Sequence, residues 1–211
     1  MTENGNSVNI GNCGAETRAT YHHGDLGTAL LDAGMAALDS GSCIDDLSLR
    51  GLARAAGVSA TAVYRHFPDK QALLGALALA GLDRLAHLQR AAASAAATKG
   101  PHAAFLASGG AYVRFALAHP ELFRLIWRTA PEGDLLDEPI EQSHDAMIGL
   151  RRGIDAVMPA DASAEQRRSA TLRCWSLVHG LATLALDKQL KLDDAMIDGA
   201  ICGALDGWVD R

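Results

Sequence analysis

Apolar residues at Leu26, Leu30, Leu31, Ala33, Ala37 and Leu38 recur with the spacing of one helix face, so a first helix is predicted over residues 24–38. Ser40-Gly41-Ser42 stops it. A second, shorter helix is predicted over 48–56, with Leu49, Leu52, Ala53 and Ala56 on one face and Ser48 where an N-cap belongs. Gly57 ends that segment, and Ser59 is placed to cap a third helix over 60–66. Pro68-Asp69 breaks the pattern again, and a long Ala/Leu-rich helix follows over about 69–97. Lys99-Gly100-Pro101 reads as a linker. Beyond it, helices are predicted over 102–118, 120–129, 137–157, 164–186 and 193–209, with a polar break at Pro131-Glu132-Gly133-Asp134. The pattern makes about nine helices, no strand and no internal repeat.

Composition agrees. Ala supplies 40 of 211 positions and Leu 29, whereas Val and Ile together supply 15, which favours helix over sheet. The fold class is all-α, in one or two domains by length. Residues 1–17 read as a flexible polar tail with no basic start and no apolar run, so no signal peptide is expected. The uncharged stretch 71–82 is about half of the roughly 20 residues a membrane span needs. Cys13, Cys43, Cys174 and Cys202 show no metal-ligand spacing and read as reduced thiols of a cytoplasmic protein. The formal charge of −6, taken whole, argues against a nucleic-acid partner. No phosphate loop or nucleophile elbow occurs. The adjacent His22 and His23 point to different faces with no second cluster beside them. No enzyme activity, cofactor or metal is therefore expected.

Residues 47–74, LSLRGLARAAGVSATAVYRHFPDKQALL, change the picture. Two short helices joined by Gly57-Val58-Ser59 have the turn length of a helix-turn-helix, with the small Ala53 where the helices approach and Gly57 for a positive φ. Val58, Val63 and Phe67 are assigned to the core. Such a motif lays its second helix in the DNA major groove. Arg50, Arg54, Arg65 and Lys70 face only Asp69 within residues 47–70, a local balance of +3. The acidity lies mainly elsewhere, and Asp25, Asp32 and Asp39 on the first helix are expected to face away from DNA.

The pieces Ser48-Leu49-Arg50, Leu52-Ala53, Ala56-Gly57-Val58-Ser59, Tyr64-Arg65-His66-Phe67 and Lys70 with Leu73-Leu74 resemble the DNA-binding region of the TetR family of transcriptional regulators. Tyr21-His22-His23-Gly24-Asp25-Leu26 resembles the opening of the first helix in one branch. Gly51 departs from the family pattern, which favours a better helix former there, and weakens the helix by up to about 1 kcal/mol relative to Ala. The resemblance implies a three-helix head over 18–80, joined by the long helix to an effector-binding and dimerising body over 81–211. It implies that Ser48 caps the second helix and donates to a phosphate. Ser59, Ala60, Thr61 and Ala62 would open the recognition helix toward the bases, where Thr61 can hydrogen-bond or touch a thymine methyl. Tyr64, His66 and Lys70 would reach the phosphodiester backbone, and Arg50, Arg54 and Arg65 would position the head or touch bases. Tyr64 as core alone, and the arginines as a solvated face, stay open.

Five of the ten aromatics, Phe105, Tyr112, Phe115, Phe123 and Trp127, fall in one segment. Trp175 and His179 stand one helical turn apart, followed by Gly180. Residues 112–127 and this Trp-x-x-x-His-Gly element resemble a C-terminal branch of the family. Two readings stay open. Phe105, Tyr112, Phe115, Trp127 and Trp175 form apolar walls of a ligand pocket in which His179 hydrogen-bonds a small-molecule effector, or they fill ordinary core around a structural histidine. Met196, Ala200, Ile201, Ala204, Leu205 and Trp208 make an apolar stripe that, with residues 172–186, could pair two subunits. The resemblance implies a homodimer through the last two helices, a double-stranded DNA operator and no membrane. The function expected is a repressor released by its effector; the alternative is a ligand-independent activator or interaction protein of the same fold.

Overall fold

A computed structural model describes residues 26–130, 135–136, 139 and 142–205. Within them the chain forms α1 (Leu26–Asp39), α2 (Leu49–Ala55), α3 (Ala60–Val63), α4 (Lys70–Ala96), α5 (Pro101–Ala118), α6 (Pro120–Thr129), α7 (Asp145–Val157), α8 (Ala164–Leu186) and α9 (Asp194–Leu205), with no strand among the described residues. Short 3-10 turns at Ile44–Asp46 and Ala97–Lys99 complete it. The fold is all-α, as the periodicity predicts.

Local chemistry sets most boundaries. Ser48, Ser59 and Asp69 cap α2, α3 and α4 by accepting from the backbone N–H three residues on, at 3.1, 3.2 and 2.8 Å. Ser163 and Gln166 form a reciprocal capping box at the start of α8. Pro101 and Pro120 occupy the first positions of α5 and α6, where no N–H is needed.

Three expectations are corrected. Helix α3 ends at Val63 rather than His66; residues 64–67 continue as a turn, with Phe67 N–H donating to Val63 O at 2.9 Å. Helix α7 starts at Asp145, eight residues later than its pattern suggests. There Pro139 O accepts from the N–H groups of Gln142 and Ser143, and the His144 ring caps the helix by accepting from Met147 N. Lys99-Gly100-Pro101 is no loose linker. Gly100, at φ 103°, closes a tight reversal whose N–H donates to Ala97 O at 3.0 Å. Helices α4 and α5 consequently run back along one another, with Gln89 Nε2 donating to Ser108 O at 3.5 Å.

The apolar core is continuous from head to body. In the head, Leu30, Leu38, Leu52, Val63 and Phe67 close on Leu73, Leu74 and Leu77 of α4. Farther along, α4 packs on α6, where a Cβ at Gly81 would stand 2.8 Å from Leu122 Cδ1 and 3.1 Å from Ile126 Cδ1. The absent side chain lets the two helices touch. Tyr112, Phe115, Phe123, Val178, Ala182, Ile197 and Ile201 extend the same core through α5, α6, α8 and α9. Asp39, ending α1, accepts from Arg84 of α4 at 2.7 Å and pairs with His119 Nδ1 at 2.7 Å. Burial alone would raise the Asp39 pKa, but these two partners outweigh it and hold the carboxyl below its ordinary range. Arg128 reaches Asp45 at 3.1 Å, a second tie between body and head.

Candidate functional site

The head presents one exposed polar face built by α2, the turn and α3. Gly57 adopts φ 69°, the left-handed conformation the turn requires. Ser48, Arg50, Arg54, Ser59, Thr61, Arg65 and His66 are exposed, and Ala60, Ala62 and Lys70 half-buried. Tyr64 is 48% exposed, which overturns the reading of this ring as core. Val63 and Phe67 are buried as expected. Both cap hydroxyls accept a backbone N–H and keep their own proton for an external acceptor. A Cβ at Gly51 would stand 2.9 Å from Ser48 Oγ, so the residue that costs helix propensity leaves the cap room. Lys70 Nζ donates to Asp45 O at 2.7 Å, which holds the start of α4 against the 3-10 turn. Asp39 is turned toward the body rather than this face. Residues 21–25, including His22, His23 and Asp25, lie outside the described residues.

The body holds a partly open cavity of about 50 Å³ among α4, α5, α6, α7, α8 and α9. Of the residues expected to bind a ligand, Phe105, Tyr112, Trp127 and Trp175 line it. Two others lie elsewhere. Phe115 is buried in the core with its ring 5.2 Å from that of His119. His179 sits outside the lining, hydrogen-bonded through Nδ1 to the Tyr112 hydroxyl at 2.9 Å and ringed by Trp127, Phe123 and Trp175 at 5.1, 5.7 and 6.3 Å. Burial lowers the His179 pKa and raises that of Tyr112 well beyond its ordinary range, so this pair is neutral at pH 7.

Sequence reasoning missed Gln89, Ser108, His144, Met147 and Cys174 in the lining. Gln89 sits in the polar end of α4, and nothing in its neighbours marks it as inward-facing. Among the described residues, Gln89 Oε1 has no hydrogen-bond partner, and Trp127 Nε1, buried close to the Tyr112 hydroxyl, makes no well-formed hydrogen bond. Burial pushes the Cys174 thiol up to about 11, with Arg173 opposing weakly, so it stays protonated.

Residues 30–77 match the bacterial regulatory proteins of the tetR family, and residues 105–201 match the tetracyclin repressor-like C-terminal domain. The chain belongs to the TetR family. A protein of unknown function from Rhodococcus sp. RHA1 is 34% identical with a TM-score of 0.72, and the match covers 90% of this chain and 99% of that one. A TetR family transcription regulator from Marinobacter aquaeolei VT8 shares the fold at 19% identity and TM-score 0.59, covering 88% and 96%. A tetR-family transcriptional regulator from Streptomyces coelicolor does so at 22% identity and TM-score 0.64, covering 87% and 80%. No curated protein matches the chain.

Membership makes this TetR-family chain a DNA-binding transcriptional regulator, of a family that is generally non-enzymatic. Among the described residues no helix is long and apolar enough to cross a membrane, and no group of three or more His, Cys, Asp or Glu side chains is placed to hold a metal ion. Helix α3 follows the turn at Gly57, and Thr61 is its exposed polar side chain.

Proposed function

We propose that this regulator is a cytoplasmic repressor that binds its operator as a homodimer and is released by a small molecule held in the body. One observation carries the reading: α4 serves both sites. Lys70, Leu73, Leu74 and Leu77 of this helix anchor the head, while Leu85 and Gln89 line the cavity. A ligand that fits the cavity only after α4 tilts would shift the population toward a spacing of the recognition helices unsuited to DNA. Ser48, Arg50, Ser59, Thr61, Tyr64, Arg65, His66 and Lys70 would supply the polar contacts, with Ala60 and Ala62 against the base edges. The head is taken as residues 18–80, behind a tail over 1–17, and the body as 81–211.

Two recognition helices must stand roughly one DNA turn apart, about 34 Å, so a two-fold partner is needed. The exposed Leu172 and Leu184 on α8 and Met196 on α9 support pairing through those helices. Trp208, part of the expected stripe, lies outside the described residues. Mobility-shift titration of the purified protein on DNA from its own upstream region at low salt tests the reading. A specific complex that dissociates with an effector supports it. Absence of any sequence-specific complex removes it, and equal affinity with and without every bound ligand leaves the ligand-independent alternative.

A further inference from the structure

The lining of the cavity has a chemical signature. Among the described residues it holds no Asp, Glu, Lys or Arg. Its walls include Phe105, Tyr112, Trp127 and Trp175, with the two indole rings 5.6 Å apart and tilted by 45°. Its two orphaned polar atoms are an acceptor, Gln89 Oε1, and a donor, Trp127 Nε1. A buried donor or acceptor keeps its desolvation penalty until something pairs with it, and a charged ligand finds there, among the described residues, no carboxylate, ammonium or guanidinium, only the His144 imidazole whose Nδ1 already accepts from Met147 N–H.

The cavity at about 50 Å³ is far below the roughly 300–1,000 Å³ of drug-sized sites. A second space of about 320 Å³ lies against it as a groove between α4, α5 and α7, and Gln89, Phe105, Ser108 and Ala146 belong to both linings. Phe105 is the one large side chain shared. Its ring rests on α7 at Gly153, where a Cβ would stand 2.5 Å from Phe105 Cδ2. Much of the groove beyond is floored by Ala and Gly, and its rim is bridged by Arg90 to Asp145 at 2.7 Å. Phe105 thus borders both spaces, and the Arg90–Asp145 pair links α4 to the start of α7 at the groove rim.

We propose that the cavity binds a neutral, flat, mainly aromatic molecule that donates one hydrogen bond to Gln89 and accepts one from Trp127, and that enters from the groove past Phe105. Its role as effector rests on the repressor reading above; the binding specificity does not.

The probes are benzamide and 1-naphthamide, with the corresponding carboxylates, arylmethyl ammonium ions and methyl arenes, titrated into the full chain without DNA by tryptophan fluorescence and calorimetry. On at least one scaffold the amide is expected to bind about tenfold tighter than its charged and hydrocarbon analogues, the size of one satisfied buried pair. Gln89→Leu, or Trp127→Phe where the first variant unfolds, removes that preference and leaves hydrocarbon binding equal or tighter. Phe105→Ala raises the association rate. Carboxylates or ammonium ions binding as well as amides overturn the proposal, as does a Gln89→Leu loss shared equally by amide and hydrocarbon, or no binding on either scaffold. An amide that binds yet leaves the operator complex intact removes the effector role and leaves the site assignment standing.

Discussion

Tyr112 and His179, sixty-seven residues apart, meet in a 2.9 Å hydrogen bond that joins α5 to α8 inside a ring of aromatic side chains. Burial disfavours the imidazolium, so the His179 pKa is lower in the folded chain than the ordinary 6.5. Between those two values the unfolded chain binds the proton and the folded chain does not. Stability is therefore full above about pH 6.5 and falls as pH drops through that window. Thermal unfolding at pH 7.5 and 5.5 is expected to show a lower midpoint in acid. His179→Gln should have a lower midpoint at pH 7.5 and a flatter pH dependence; an equal pH dependence in the variant would assign the effect elsewhere.

The cap of the recognition helix offers a separable test of fold and reading. Ser59→Ala removes the acceptor for Ala62 N–H and should cost about 1 kcal/mol. Ser59→Asp keeps an acceptor there but adds a negative charge beside the phosphates. The prediction is near-wild-type denaturant stability for the Asp variant together with weaker operator binding, and the steepest loss at low salt. Unchanged DNA affinity in Ser59→Asp would place this serine off the interface.

Helices α4 and α6 meet at a position with no room for a side chain. Gly81→Val would push a Cβ and two methyl groups toward Leu122 and Ile126, both almost fully buried. Overpacking of this kind costs about 1–3 kcal/mol. With roughly 2–4 °C per kcal/mol for a chain of this size, calorimetry should record a midpoint several degrees lower. An unchanged midpoint would mean that α6 can slide away freely.

Pairing through α8 and α9 predicts that charge on their exposed apolar residues separates the subunits. Leu184→Glu with Met196→Glu should convert the dimer to a monomer by sedimentation equilibrium, with helix content retained, since both residues are about half exposed. Operator affinity should fall at least tenfold as the second recognition helix is lost. A variant that stays dimeric would move the interface to another face.

Features set by neighbours in the chain were legible before the fold was known. Ser48, Gly57 and Ser59 announce a cap, a turn and a second cap within twelve residues, and Pro120 marks the start of α6. What was illegible depends on which way a helix is rotated. Tyr112 and Phe115 lie three residues apart on α5, yet one lines the cavity and the other fills core beside His119. Gln89 looks like any polar residue near a helix end until α5 is folded back along it. Periodicity alone carries a helix through Pro139, whose carbonyl instead closes a turn ahead of α7.

Helix α4 has a mechanical meaning beyond its packing. From Gln89 to Lys70 it spans roughly 28 Å at 1.5 Å per residue. Pivoting at the cavity by about 5° therefore sweeps its far end through roughly 2.5 Å, on the geometry of a rigid rod of that length. On the proposed mechanism the cavity is the fulcrum and the head rides at the tip. A pivot of a few degrees at the cavity would then become, at the head, a displacement comparable to the length of a hydrogen bond.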